Sequence, residues 1–163
     1  MNANEQVIRD FYTAFAARDA AGMARCYHPE VYFSDPAFPN LRGQEATAMW
    51  SMLCARGKDL RLTLVSAAAT PEGGTARWEA HYTFSQTGRP VVNKIDAMFA
   101  FKDGKIVRHI DRFPFWTWAR QALGPMGLLL GWFGPVKAMV RKKADKSLRD
   151  YMEKNAGNIP QPG

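Results

Sequence analysis

Cysteine and histidine are scarce in this sequence. Two cysteines, Cys26 and Cys54, and three histidines occur among 163 residues, and none of them has the spacing of a metal-binding motif. Neither a glycine-rich dinucleotide-binding motif nor a P-loop occurs. We therefore expect two reduced, packed thiols, no metal site and no cofactor.

The sequence also lacks the features of a secreted or membrane-spanning protein. Residues 1–5 are polar, and no basic segment followed by an apolar run is present there. Hydrophobic residues make up 47% of the chain and aromatic residues 12%, enough for one buried core at this length. We expect a single small domain with a cytoplasmic location.

Positive charge is concentrated near the end of the chain. The formal net charge is +7, and residues 137–154 hold seven Lys and Arg against three Asp and Glu. Such a segment is typical of a solvated helix face, and contact with an anionic surface is the alternative. We expect no nucleic-acid partner.

The first part of the chain has helical patterns. Apolar residues recur at three- and four-residue spacing over 7–15, and Asn2 is placed to cap that helix. Asp19 indicates the start of a second short helix, which His28-Pro29 ends. A short strand stopped by Asp35-Pro36 and a third helix then follow.

From Asp59 onward the apolar period changes from 3.6 residues to 2, which indicates strands. Turn-forming residues around Gly73, Gly88 and Asp103-Gly104 separate the extended segments, and the Asp-Gly pair is a strong hairpin signal. Helices followed by a meander of strands indicate an α+β fold with an antiparallel sheet.

The last fifty residues are unusual. Residues 121–136 carry no charge, but glycines and prolines interrupt them and they are short for a membrane span. A basic segment, which we expect to be helical, follows. We expect this region to pack over the domain or a partner subunit, and contact with a membrane surface through residues 124–152 is the alternative.

Two segments carry a resemblance to a known family. Residues 7–36 have two helices, a His-Pro break and a short strand that ends in Asp-Pro. Residues 88–113 read GRPVVNKIDAMFAFKDGKIVRHIDRF. These segments resemble the first half and the last hairpin of ketosteroid isomerases and SnoaL-like polyketide cyclases, within the nuclear-transport-factor-2-like superfamily.

The resemblance covers about residues 5–118. It implies a cone in which N-terminal helices pack on a curved antiparallel sheet around an apolar pocket. We accordingly divide the chain into a cone domain over 1–118, a helical extension over 119–155 and a flexible tail over 156–163.

The resemblance also implies catalytic residues. Asp35 lies where ketosteroid isomerases place the aspartate that shuttles the proton, and Asp96 lies where they keep a protonated aspartic acid. Asp111 lies where SnoaL-like cyclases carry a base, and His109 is two residues from it. These four residues are the candidate catalytic set.

Two departures from the family narrow the expected activity. Phe11, not Tyr12, stands at the position of the isomerases' helix-one tyrosine, which argues against ketosteroid isomerisation itself. Trp78 and Ala80 stand where limonene-type epoxide hydrolases carry an Arg-x-Asp pair, which argues against epoxide hydrolysis.

Strand alternation then gives the pocket lining. If Asp96 faces inward, Lys94, Met98 and Ala100 share its face. The family's register turns further alternate residues inward; they are Trp78, Ala80, Tyr82 and Phe84 on one strand and His109, Asp111 and Phe113 on another. The candidate substrate-binding residues are Tyr12, Phe15, Trp50, Trp78, Tyr82, Met98 and Phe113. Apolar walls with a few polar groups are typical of a ligand pocket.

The opposite face of the Asp96 strand is also apolar and consists of Ile95, Ala97, Phe99 and Phe101. A sheet that is apolar on both faces must be covered on both, and a second subunit often covers one of them in this family. We therefore expect a homodimer.

The candidate set suits proton transfer without a cofactor. Ionising a carboxyl in an apolar pocket is costly, and several close carboxyls cannot all be charged, so acid and base roles separate. We expect an isomerase, cyclase or dehydratase that acts on a small hydrophobic molecule. The alternatives are a non-catalytic protein of the same fold that binds an apolar ligand, and a membrane-edge or scaffold protein that uses the C-terminal extension.

Overall fold

The computed structural model describes residues 1–130 and 134–163; residues 131–133, at the end of the uncharged segment, lie outside the described part. In chain order the elements are α1 (Ala3–Ala16), α2 (Ala20–Cys26), β1 (Tyr27–Ser34), β2 (Leu41–Arg42), α3 (Gln44–Arg56), β3 (Arg61–Ala69), β4 (Gly74–Phe84), β5 (Arg89–Lys102), β6 (Lys105–Arg112), α4 (Phe115–Ala122), α5 (Pro125–Leu130) and α6 (Gly134–Lys154). The predicted order of helices followed by strands is confirmed.

The first two helices begin at the caps that the sequence indicates. The side chain of Asn2 accepts a hydrogen bond from the Glu5 backbone N–H at 2.9 Å. The Asp19 carboxylate accepts one from the Gly22 N–H at the same distance. Each cap satisfies a backbone donor that the helix itself leaves unpaired.

The strands form one sheet in the order β2-β1-β6-β5-β4-β3. Strands β3 to β6 are an antiparallel meander, as predicted, whereas β1 runs parallel to β6. The β5–β6 hairpin turns at Asp103 and Gly104, with φ of 54° and 75°, which are the two positive values a two-residue type I′ turn requires. The β1–β6 pairing places the first strand of the chain beside the last one.

The register of β5 differs from the predicted one. Trp78 on β4 lies opposite Ile95, and Arg77 lies opposite Asp96. Residues directly opposite each other in an antiparallel pair share a face of the sheet. Because Trp78 faces inward, Ile95 also faces inward and Asp96 faces outward. The set of Trp78 and the set of Asp96, which we predicted to face the pocket together, therefore cannot both do so.

The burial of the side chains along β5 agrees with this register. Ile95, Ala97 and Phe99 belong to the core, whereas the residues between them are exposed, including Met98 at 47%. The expectation that Lys94, Asp96, Met98 and Ala100 face the pocket is wrong. Burying the more apolar of the two alternating sets removes more apolar surface from water, so that set decides the register.

This register removes the argument that a second subunit must cover an apolar outer face of the sheet. Of the set that we expected on the outer face, Ile95, Ala97 and Phe99 are buried in the core and Phe101 packs partly against it. The outer face of β5 carries Lys94, Asp96 and Met98 instead. The sheet is therefore not apolar on both faces. A homodimer stays a prediction.

The core lies between the inner face of the sheet and helices α1 and α3, and it is rich in aromatic side chains. Its largest fully buried members are Tyr12, Tyr27, Phe11, Phe33, Ile8, Met23, Met49, Ile106, Leu148 and His109. Phe11 and Trp50 illustrate the packing, because their rings meet edge to face with centroids 5.5 Å apart.

The extension packs on the domain at two places. In α4, the Gln121 side chain accepts a hydrogen bond from the Val92 N–H at 2.8 Å and donates one to the Val92 carbonyl at 3.1 Å. The Gln121 side chain thus satisfies both backbone groups of Val92, as a neighbouring strand would do. In α6, Leu148 is fully buried, Arg149 pairs with Glu45 of α3, and Arg141 Nε donates to the Pro36 carbonyl at 2.9 Å.

The last residues are packed as well. Ile159 is buried, the Pro160 carbonyl accepts a hydrogen bond from Thr47 Oγ1 at 2.7 Å, and the Gly163 N–H donates to the Ala24 carbonyl at 3.2 Å. Lys105 Nζ also donates to the Gly163 carbonyl at 2.8 Å, so one apolar side chain and three hydrogen bonds attach the segment 156–163, which we expected to be flexible, to the domain. In the described part of the chain, no helix combines the length and apolarity needed to cross a membrane.

Candidate functional site

A buried carboxyl–imidazole pair lies on the inner face of β6. His109 is 0% exposed and Asp111 is 3% exposed, and each lies opposite an inward residue of β5, Phe99 and Ala97. Strand alternation puts both on one face, as predicted. His109 Nε2 is 2.9 Å from Asp111 Oδ1, which is hydrogen-bond distance.

Two further side chains extend this pair into a chain of hydrogen bonds. The Tyr27 hydroxyl is 2.8 Å from His109 Nδ1. Trp50 Nε1 donates to the same hydroxyl at 2.7 Å. Tyr27 is at the start of β1 and Trp50 is in α3. The parallel β1–β6 pairing brings Tyr27 to the two β6 residues, and α3 adds Trp50 to them.

The donor chemistry fixes the direction of this chain. An indole N–H can only donate, so the Tyr27 oxygen accepts from Trp50. The described residues offer the Tyr27 proton no other acceptor than His109 Nδ1. His109 then carries its own proton on Nε2 and donates it to Asp111, which accepts as a carboxylate.

Aromatic rings enclose the imidazole. Ring centroids within 6 Å of that of His109 belong to Phe11, Phe33, Trp50 and Phe99, of which Phe99 is nearest at 4.5 Å. Such surroundings have a low effective dielectric, in which a satisfied polar network is strengthened and an unsatisfied one is costly.

Asp35 lies at the end of β1, in the turn that leads to β2. Its Oδ1 accepts hydrogen bonds from the backbone N–H groups of Ala37 and Phe38 at 2.7 and 2.6 Å. Burial raises the pKa of Asp35 from 3.8 to about 6, the Phe38 hydrogen bond opposes that rise, and the nearby Asp111 charge adds to it. Asp111 is therefore close enough for its charge to act on the ionisation of Asp35.

Two buried donors in the core, the Tyr12 hydroxyl and Trp78 Nε1, have no hydrogen-bond partner among the described residues. Tyr12 is 1% exposed and Trp78 4% exposed. Burial raises the pKa of Tyr12 well above its ordinary value, and the negative charge of Asp111 raises it further.

The structure brings together three of the four candidate catalytic residues. The charge of Asp111 acts on Asp35, and His109 is hydrogen-bonded to Asp111, so these three residues form an inner group. Asp96 is on the other face, where its side chain is 69% exposed and pairs with Arg77 at 3.0 Å. The catalytic roles of all four stay predictions, and Asp96 is not part of the inner group.

Most of the candidate substrate-binding residues lie in or against the core, and one lies on the outer face of the sheet. Tyr12, Phe15, Trp50 and Trp78 are buried in the core. Tyr82 and Phe113 are partly buried against it, and the Tyr82 hydroxyl accepts a hydrogen bond from Trp118 Nε1 at 2.8 Å. Met98 lies on the outer face of the sheet.

Tyr27 was not predicted as a site residue. The sequence shows it only as an aromatic residue before a His-Pro break, and its role depends on contact with a histidine 82 positions later. That contact requires the parallel β1–β6 pairing, which no local pattern indicates.

Two surface cavities lie away from the inner group. One, of about 470 Å³, lies along the outer side of α1 and α2 beside Gly104 and Lys105. The other, of about 250 Å³, lies between residues 37–41 and the α6 residues Arg141, Lys142 and Asp145. Within the described residues, no cluster of three His, Cys, Asp or Glu side chains forms a metal site.

The fold is shared with solved proteins of low sequence identity. An NTF2-like protein of unknown function from Burkholderia pseudomallei is 21% identical, with a TM-score of 0.61 over 70% of this chain and 92% of that one. A candidate polyketide cyclase from Pseudomonas putida is 19% identical, with a TM-score of 0.64 over 75% and 98%. A protein of ketosteroid-isomerase-like fold from Catenulispora acidiphila, solved with trimethylamine, is 11% identical, with a TM-score of 0.64 over 74% and 94%.

No curated protein sequence matches this chain significantly. The sequence profile of the SnoaL-like domain matches residues 8–109, which is more than half of the chain and runs from within α1 to His109 in β6. The matched range ends two residues before Asp111 and leaves out the C-terminal extension. The chain belongs to the SnoaL-like domain family.

Proposed function

We propose that this protein is a cofactor-independent enzyme that moves a proton on a small hydrophobic substrate, in the manner of an isomerase, cyclase or dehydratase. Asp111 is the base. The observation that carries this proposal is the directed hydrogen-bond chain from Trp50 through Tyr27 and His109 to a buried carboxylate. A structural core has no need of an ionised carboxyl held at the end of such a chain.

The chain supports a base in a specific way. The His109 N–H donates to Asp111 Oδ1 and so holds that carboxyl group in one orientation inside the core. The Tyr27 hydroxyl holds the imidazole in the tautomer that can donate. Asp111 can then take a proton from carbon, and the electron pair of the broken C–H bond moves into the substrate.

Asp35 supplies the complementary acid. Because its pKa is raised to about 6 by burial, it stays protonated at mildly acidic pH. A carboxyl that stays neutral at mildly acidic pH, near a second carboxyl that accepts from His109, suits a proton removed at one atom and returned at another. The proton is conserved in an isomerisation, so no oxidant or other co-reactant is needed.

Access to Asp111 requires movement of the elements that cover it. Asp111 is 3% exposed among buried core residues, and the two cavities described above lie away from it. The turn that holds Asp35 is contacted by α6 through Arg141 and the Pro36 carbonyl. We propose that a ligand enters where this turn and α6 separate.

Deuterium incorporation from D2O tests the proposal whatever the product of the reaction is. Steroids, polyketide-like aromatics and terpenoids are incubated with the protein in D2O, and mass spectrometry measures the label. We expect label in at least one class, and Asp111→Asn should lower its rate by about 10²–10⁴-fold. Asp96→Asn is the matched control, because it removes an exposed carboxyl from the opposite face of the sheet.

Two results would contradict the proposal. Equal labelling by the parent and by Asp111→Asn would exclude Asp111 as the base. Tight binding of a compound class without any labelling would favour the alternative, a protein of this family that binds an apolar ligand and does no chemistry on it.

A further inference from the structure

The cavity of about 250 Å³ beside the Asp35 turn combines an apolar wall with positive charge. Phe38, Pro39 and Leu41 line it on the side of the domain, and Arg141 and Lys142 of α6 line it on the other side. Apolar walls with a few placed charges are typical of ligand sites. The volume is below the roughly 300–1,000 Å³ of pockets for drug-sized ligands, so the cavity fits a small molecule or one end of a larger one.

The two cations of this cavity have no carboxylate partner in the described part of the chain. The neighbouring acids pair with other cations: Glu45 and Asp145 contact Arg149 at 2.6 and 3.3 Å, and Asp150 contacts Lys146 at 2.8 Å. Unpaired cations beside an apolar wall attract an anion whose remaining part is apolar.

Arg141 is oriented by a hydrogen bond to the domain. Its Nε donates to the Pro36 carbonyl at 2.9 Å, and its side chain is half-buried. Neither Nη group donates to another of the described residues, so both are available to a ligand. The planar guanidinium fork matches the two oxygens of a carboxylate, and a fork that is already held loses less freedom on binding.

The charges in the cavity limit which ion it can hold. Arg141 and Lys142 bring two positive charges, and Asp145 brings one negative charge. A cation would be repelled by the net positive charge, and Asp145 would repel a doubly charged phosphate ester more than a singly charged group. A monoanion leaves the cavity neutral.

The cavity shares its wall with the turn that holds Asp35. Ala37 and Phe38, whose backbone N–H groups bond to Asp35, both line the cavity. Arg141 bonds to Pro36 of the same turn. A molecule in this cavity therefore contacts the residues that position Asp35, at the place where we propose that the ligand enters.

We propose that this cavity binds the carboxylate of an apolar acid, with Arg141 and Lys142 on the carboxylate and the wall of residues 38–41 against the adjoining ring or chain. The inference rests on the proposed function and names its substrate class, an apolar molecule that carries one acid group. Both cations lie in α6, beyond the residues 8–109 that the family profile matches. The site is thus a property of the C-terminal extension.

The test compares three acids, cyclohexanecarboxylate, 2-naphthoate and 4-phenylbutanoate, each with its uncharged primary amide. NMR titration of the ¹⁵N-labelled protein at neutral pH measures the Kd, and the backbone N–H signals of Ala37, Phe38 and Leu41 show where the compound binds. We expect at least one acid to bind about tenfold more tightly than its amide. High salt should reduce this preference, because it screens the charges.

Two adjacent lysines provide a matched pair of variants. Lys142→Met and Lys143→Met make the same change of charge, but only Lys142 lines the cavity. Lys142→Met should weaken binding of the acid about threefold, whereas Lys143→Met should leave it almost unchanged. Arg141→Met should remove most of the preference for the acid, about tenfold.

A fourth variant predicts an effect of the opposite sign. Asp145→Asn removes the negative charge from the cavity and keeps the size of the side chain. It should strengthen binding of the acid about threefold and leave binding of the amide as it was. Unchanged or weaker binding of the acid by this variant would contradict the charge balance.

The outcomes separate this inference from the proposed function, with the three acids added to the D2O assay. Binding that depends on Arg141 and Lys142, without deuterium exchange in any compound, would leave the acid site standing and contradict catalysis. Exchange that depends on Asp111, with acid and amide bound equally well, would overturn the acid site and leave the function standing.

Two further results would overturn the acid site. Equal losses in Lys142→Met and Lys143→Met would show general attraction to the basic helix instead of binding in the cavity. Acetate and inorganic phosphate bound as tightly as the three acids would show that the apolar wall contributes nothing.

Discussion

Asp96 and Asp111 are two aspartates on adjacent strands of one hairpin, and they occupy opposite environments. Asp111 lies on the inner face, 3% exposed and bonded to His109. Asp96 lies on the outer face, beside Arg77 and open to water. The sequence offers both as candidate acids, and only the direction of each side chain distinguishes a group inside an apolar core from an ordinary surface charge.

The comparison shows how much depends on the register of a strand. A shift of β5 by one residue would exchange the two faces and put Asp96 inside in place of Ile95. The buried carboxylate would then lack the imidazole and phenol that serve Asp111, and ionising it would be more costly. The proposed chemistry therefore depends on the whole hydrogen-bond chain of Trp50, Tyr27, His109 and Asp111. A buried aspartate without these partners would not provide it.

The largest expected effect is on folding stability, and it compares a residue on the inner face of β5 with its neighbour on the outer face. Phe99→Ala should destabilise the fold by about 3–5 kcal/mol, because a buried ring is removed and the core cannot close around the space. Met98→Ala, one residue away on the exposed face, should change stability by no more than about 0.5 kcal/mol. Urea denaturation of both variants measures this difference. Equal losses would mean that the described register is wrong.

A second test concerns Asp35, whose neutral form the folded state favours. Its pKa is raised from 3.8 to about 6 on folding, so the folded state binds more protons between those values. Folding stability should therefore fall as the pH rises from about 4 to about 6. The loss is at most about 3 kcal/mol and remains at higher pH.

Asp35→Asn should remove this pH dependence. The amide oxygen can still accept from the two backbone N–H groups, so the variant should match the parent near pH 4 and exceed its stability at pH 8. Chemical denaturation at a series of pH values checks the difference. A variant that is less stable than the parent at pH 8 would contradict the raised pKa.

A smaller effect is expected at Tyr27. Tyr27→Phe leaves the Trp50 N–H and His109 Nδ1 without their shared partner, and each buried polar group left unpaired costs about 1–3 kcal/mol at most. We expect a total loss of about 2 kcal/mol in thermal or urea unfolding. Tyr32→Phe, at the surface, should cause almost none. A stable Tyr27→Phe variant would show that the chain contributes little to folding.

The smallest effect is expected at the outer ion pair. Asp96→Ala removes a partner of Arg77 at a site where both side chains are mostly exposed to solvent. Such pairs contribute about 0–1 kcal/mol, and salt screens them further. Urea unfolding at low and high salt measures the contribution. A loss as large as that of Phe99→Ala would mean that Asp96 is not a surface residue.

Local patterns in the sequence predicted most of the fold. Helix periodicity, the Asn2 and Asp19 caps and the Asp103-Gly104 turn all depend on neighbouring residues, and the structure agrees with each. The β5 register was predicted wrongly because the family comparison put Asp96 inward. The strand's own alternation puts Ile95 and Phe99 on the more apolar face, and that pattern gives the correct register.

The candidate site was predictable only in part. His109 and Asp111 share a face because they are two residues apart on one strand, which the sequence shows. The positions of Tyr27 and of the Tyr12 and Trp78 donors, which have no partner in the part of the chain that the structure describes, depend on contacts between distant elements. No local period indicates which strand lies parallel to β6, so these members of the site needed the structure.

The most direct test of the directed chain is the tautomer of His109, read by ¹⁵N NMR of the imidazole at neutral pH. The hydrogen bonds from Trp50 and Tyr27 predict a neutral ring with its proton on Nε2 and an unprotonated, hydrogen-bonded Nδ1. Tyr27→Phe should change the Nδ1 signal and leave the pair with Asp111. A proton on Nδ1, or on both nitrogens, in the parent protein would contradict the directed chain and with it the assignment of Asp111 as the base.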